Sequence, residues 1–115
     1  MKQAGQIALL RFPQADLAQG KLRPELLLAR LPGDYDDWLI CMVSSQLRHC
    51  TPHFDEIVQE SDADFTTSGL RVASLIRVGR LAAVEGKLLL GTTGAIAEER
   101  LRRIQGHLAA WISRS

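Results

Sequence analysis

Trp38-Leu39-Ile40-Cys41-Met42-Val43-Ser44-Ser45-Gln46 is a near-continuous apolar run that stops abruptly at two hydroxyls and an amide. Bounded upstream by the turn-forming Pro32-Gly33-Asp34-Tyr35-Asp36-Asp37, the run predicts a strand buried on both faces. Before that turn stands Gly20-Lys21-Leu22-Arg23-Pro24-Glu25-Leu26-Leu27-Leu28, a polar loop that delivers an Arg-Pro pair to the mouth of a second strand. Pro24 fixes its own φ and pushes Arg23 towards an extended conformation, and the strand then runs to about Leu31. A planar, fork-shaped cation and a hydroxyl, each at the rim of a buried strand, are suited to converge on a phosphate.

Working outward, residues 5–12 alternate weakly and are rich in Ile and Leu, which predicts a first strand stopped by Pro13. Residues 13–22 are polar, contain Gly20 and read as an exposed loop. Residues 47–54 lack periodicity, 55–60 suit a short edge strand, and 61–69 read as a loop. The pattern over 71–84 is ambiguous between strand and helix; a strand through 76–78, a bend at Gly79 and a short strand to Val84 is the preferred reading. Glu85-Gly86 then makes a tight turn into 87–90. Ala97, Leu101, Ile104, Leu108 and Trp111 recur at spacings of four, three, four and three, one face of an amphipathic helix. Thr92 or Thr93 is placed to act as its N-cap, and Gly106 weakens its interior. With no parallel βαβ rhythm and no internal repeat, the prediction is a mainly β fold with α (α+β). It takes the form of a small, strongly bent antiparallel barrel covered by a C-terminal helix.

At 115 residues the chain has room for one core, so 1–115 reads as a single domain. A hydrophobic content of 46% and a charged content of 23% fit a globular protein and exclude a wholly disordered one. No signal peptide and no apolar run of ~20 residues is visible, so a cytoplasmic protein without membrane association is expected. Net charge is only +1, which announces no nucleic-acid binder in bulk. Its distribution is uneven: residues 34–64 hold eight acids and one Arg, between two flanks rich in Lys and Arg. That arrangement permits a positive face. Arg100, Arg102 and Arg103 read as the solvated side of the C-terminal helix, and Trp38 and Trp111 as core or dimer-contact residues. Cys41 reads as a buried inert thiol, and no Cys41–Cys50 disulfide is expected.

In order and spacing, the chain resembles the MazF/PemK toxins of bacterial toxin–antitoxin pairs. The resemblance is carried by Gly5-Gln6-Ile7, Lys21-Leu22-Arg23-Pro24, Val43-Ser44-Ser45-Gln46, Gly69-Leu70, Ala73-Ser74-Leu75-Ile76-Arg77, the turn at Gly86 and the closing helix. It implies an SH3-like barrel, a homodimer, metal-independent endoribonuclease activity on single-stranded RNA, and a protein antitoxin whose disordered segment blocks the RNA groove. No cofactor is implied. It also implies catalysis by Arg23 and Ser44, with a 2′,3′-cyclic phosphate and a 5′-OH as products. Two departures stand out. Ser44 occupies a position where many members carry Thr, keeping the hydroxyl but losing the β-branch that fixes its rotamer. The loop before Arg23 is also less glycine-rich than in familiar members.

RNA cleavage of this kind uses the 2′-OH as internal nucleophile, so the protein must stabilise a charged phosphorane and help two protons move. Arg23 offers paired donors to the non-bridging oxygens, and Ser44 a further hydrogen bond. Gln46, two residues on, is expected on the same strand face and able to read a base edge, with Lys21 and Ser45 as further substrate-binding candidates. His49 is the reserve candidate, as a general base. The cluster His49-Cys50-Thr51-Pro52-His53 has zinc-type side chains but no second pair at finger-like spacing, so no metal site is expected. Two rivals remain. One is a non-nuclease binding module on the same fold, like the gyrase-poisoning toxins (CcdB type), acting through Trp111-Ile112-Ser113. The other is a degenerate family member.

Overall fold

The structure is a computed structural model that describes residues 2–11 and 22–115. Six strands form one antiparallel sheet: β1 (Gln6–Arg11), β2 (Leu22–Arg30), β3 (Asp37–Ser44), β4 (Glu56–Val58), β5 (Ser74–Glu85) and β6 (Leu89–Ala95). Their spatial order is β4-β5-β3-β2-β1-β6. Two helices, α1 (Phe65–Ser68) and α2 (Glu98–Arg114), complete the fold. The antiparallel sheet and C-terminal helix expected from the sequence are both present. The barrel is not closed: β4 and β6 are the two edges of the sheet, and neither pairs with the other. Pro13 and the expected loop over 13–22 fall almost wholly outside the described residues.

The apolar run forms β3, between β2 and β5, and its side chains go to both faces as expected. Cys41 and Val43 join Ile7, Leu26, Leu28, Ile76 and Val78 against Leu101, Ile104 and Leu108 of α2. Trp38 and Ile40 join Ala8, Leu10 and Leu27 on the opposite face. At ~1.5–3 kcal/mol per fully buried aliphatic side chain, the first cluster is the main source of stability. Opposite Cys41 and Met42 the β5 register jumps from Leu81 to Arg77, a bulge that contains Gly79 and gives the bend expected there. The edge strand expected over 55–60 is β4.

Three local expectations fail. Residues 61–69 contain a helical turn, α1. Thr92 and Thr93 are residues of β6 and cap nothing, because β6 extends through Ala95. The N-cap residue of α2 is Ala97, whose N–H donates to Asp64 Oδ2 at 3.0 Å, so a carboxylate distant in sequence serves the helix start.

The third failure concerns Arg100, which is 9% exposed rather than solvated. Its guanidinium donates to Asp64 Oδ2 (2.8 Å) and Oδ1 (3.1 Å), Glu56 Oε1 (3.0 Å), Asp62 Oδ2 (3.0 Å) and the Ile57 carbonyl (3.1 Å). Arg103 adds two bonds to Glu56, while Arg102 pairs only with Glu98 in solvent. The acidic middle of the chain is therefore partly neutralised inside the molecule. Of the two tryptophans, Trp38 is buried as expected. Trp111 is 47% exposed, its ring edge-on to Phe54 at 5.8 Å. Cys41 and Cys50 are both free thiols, and burial pushes the Cys41 thiol up.

Candidate functional site

Pro24 decides where the site opens. It pairs with Leu9 of β1, but the β2–β3 ladder begins only at Glu25 opposite Met42, so its missing N–H falls beyond that ladder. Past Met42, β3 leaves β2 and keeps pairing with β5 alone, Val43 opposite Ile76 and Ser44 opposite Leu75. The parting of β2 from β3 leaves a groove of about 540 Å³. Arg23 and Pro24 line it from β2, and Ser44, Ser45 and Gln46 from the end of β3.

Arg71, Ser74 and Thr93 complete its polar lining. Ser74 opens β5 and Thr93 lies on β6, while Arg71 follows α1, which ends at Gly69 with φ +74°. A Cβ at Gly69 would run into the Thr93 carbonyl, and one at Gly94 into the Thr67 carbonyl, so two glycines let α1 sit directly on β6. Thr93 Oγ1 locks that contact by donating to the Ser68 carbonyl at 2.8 Å. Leu70-Arg71-Val72 follows as the far rim of the groove.

Arg23 is exposed and makes no hydrogen bond or ion pair among the described residues. Ser44 Oγ accepts the N–H of Gln46 at 3.0 Å, the local bond of a strand-end turn, and its hydroxyl proton remains available to donate. Gln46 reaches the groove by a different route from the one expected. The strand ends at Ser44, so alternation no longer governs Gln46, which instead begins the 3₁₀ turn Leu47–His49. His49 is exposed on that turn and is not among the residues that line the groove. Lys21 lies outside the described residues. Among the described residues no three His, Cys, Asp or Glu side chains gather as a metal site.

Directly beneath the rim lies Glu25, which the sequence reading gave no role. It is 4% exposed, set in the sheet between Ala8 of β1 and Met42 of β3. Burial pushes its carboxyl up to about 8, against the opposing pull of Arg23 two residues earlier. Arg71 and Thr93 were also missed: the first was visible as a cation directly after Gly69-Leu70, and the second was absorbed into an expected cap.

The groove thus sets a guanidinium and a hydroxyl on two diverging strands, with a second arginine and an amide at the rim. A family model described as PemK-like, MazF-like toxin of type II toxin-antitoxin system matches residues 3–112. No curated protein matches the chain.

Proposed function

From a chain that belongs to the PemK-like, MazF-like toxins of type II toxin–antitoxin systems, we propose an endoribonuclease toxin acting on single-stranded RNA through the groove between β2 and β3. Membership brings with it an antitoxin as partner. The observation that carries the enzymatic reading is the convergence of Arg23 and Ser44 on one groove, with Arg23 making no hydrogen bond or ion pair among the described residues. Among the described residues, no helix is long and apolar enough to cross a membrane.

In the proposed reaction the 2′-oxygen attacks the adjacent phosphorus, the P–O5′ bond breaks, and a 2′,3′-cyclic phosphate and a 5′-OH result. Solvent water takes the 2′-OH proton and supplies the one that the departing 5′-oxygen gains. Arg23 binds the non-bridging oxygens, whose negative charge grows in the phosphorane, so its donors act more strongly in the transition state than in the ground state. Ser44 donates a hydrogen bond from its hydroxyl to the same phosphate and keeps its proton throughout. Arg71 extends the cationic rim, and Gln46 and Ser45 offer hydrogen bonds to base edges. The described lining holds no imidazole or carboxylate, so the contribution these residues can make is electrostatic stabilisation of the phosphorane.

Arg23→Ala is expected to lower kcat/KM by at least ~10²-fold with unchanged thermal stability. Ser44→Ala is expected to lose about 10- to 100-fold, and Ser44→Thr to retain most of the activity because the hydroxyl is kept. Loss of folding in Arg23→Ala, or full activity in both alanine variants, would sink the assignment.

A second reading has one observation in its favour. Trp111 and Ile112 at the end of α2 are 47% and 56% exposed, an apolar tip suited to a protein target. Under that reading Ile112→Ser abolishes toxicity and leaves RNA untouched; under the nuclease reading it does neither.

A further inference from the structure

Glu25 is a carboxylic acid where a strand of this sheet would ordinarily bury a hydrocarbon. Its row across the sheet runs Ala8, Glu25, Met42, Arg77. On its own strand the charged neighbour on the same face is Arg23. From β1 the adjoining side chains are Ala8 and Leu10, and from β3 Met42, none of them charged. From β5, Arg77 stands one strand further along the row. The Cys41 thiol belongs to the opposite face; burial first, then the Glu25 and Asp55 carboxyls, push it up, so it stays an uncharged thiol, and Asp55 already accepts from the N–H groups of Thr51 and Val78. Among the described residues the charged group that acts on Glu25 is therefore the groove arginine, two residues away on the same strand face.

We propose that Glu25 is a positioning residue for Arg23: neutral, it leaves the guanidinium to an RNA phosphate, and ionised, it competes with that phosphate for the guanidinium and closes the site. The inference rests on the reading of Arg23 as the phosphate-binding group. Burial favours the neutral acid, and Arg23 is the group that favours the anion. A phosphate that engages Arg23 takes away that one favourable partner and adds a negative charge nearby. RNA binding is then coupled to proton retention at Glu25, and by reciprocity raising the pH weakens RNA binding. The device is local to this chain's Arg-Pro-Glu sequence. A neutral side chain after the proline would carry none of it.

The test is binding of a non-cleavable 2′-O-methyl single-stranded RNA by wild type and Glu25→Gln, at fixed salt, from below to above pH 8. Wild-type affinity is expected to fall by about tenfold per pH unit once Glu25 ionises, whereas Glu25→Gln holds its affinity through the same range. Parallel profiles for the two proteins, with binding intact, would overturn the role of Glu25 and leave the RNA reading standing. Absence of binding by either protein at every pH would overturn the RNA reading and the inference with it. A measurement on RNA-free protein guards against a variant that misfolds. The ¹³C carboxyl resonance of Glu25 is expected to titrate far above the usual glutamate range, and higher still in Arg23→Ala. A midpoint in the ordinary range, or one that ignores Arg23, would refute the coupling directly.

Discussion

In the unfolded chain Glu25 titrates near 4.5 and in the native protein near 8, so between those values the unfolded state releases a proton that the native state keeps. Stability must then fall as pH rises across that window, by up to about 1.4 kcal/mol per unit from this group. Glu25→Gln is expected to remove the slope and to be the more stable protein at the alkaline end, which urea unfolding at both ends of the window would reveal. Equal slopes would mean that the carboxyl is solvated. This residue was illegible in the sequence because Pro-Glu-Leu-Leu-Leu admits either an outward or an inward carboxylate; only the sheet register decides. Arg23, Ser44 and Gln46 were legible because they stand where composition changes, at the rims of apolar runs. Arg100 was not, since Glu98-Glu99-Arg100-Leu101-Arg102-Arg103 reads as a solvated stripe until Glu56, Asp62 and Asp64 arrive from another part of the chain.

At the scale of elements, α2 is fixed at its N-terminal end by that ion cluster and along its face by Leu101, Ile104 and Leu108. Arg100 holds the Asp64 carboxyl below the usual carboxylate range. Its contribution is therefore fully present above the unfolded value of 3.8 and is lost as pH falls through the lower native value. Asp64→Asn should lose roughly 3 kcal/mol at neutral pH, because it leaves a buried guanidinium short of its main partner, and should flatten the acid limb of the stability profile. A variant as stable as wild type in both ranges would make the cluster ornamental. The element order was readable from hydrophobic period and turn residues. The end of β6 and the helical turn α1 were not, because the polar, glycine-containing Gly91-Thr92-Thr93-Gly94 is held in the sheet by its register with β1 and its seat against α1 rather than by its own propensity.

Over the whole molecule, acids and bases that look segregated in sequence pair with each other, which leaves Arg23 and Arg71 as the cations lining the groove among the described residues. Two phosphate contacts imply a shallow salt dependence, a slope of log K against log salt of about −1 to −2, measurable by RNA titration. A much steeper slope would place the RNA on another surface. The most direct test of the account is incubation of a long single-stranded RNA with purified protein and with Arg23→Ala, both in excess EDTA. The account requires discrete fragments with 5′-OH ends from the wild type alone. Intact RNA in both reactions, or the same fragments from both, would contradict it.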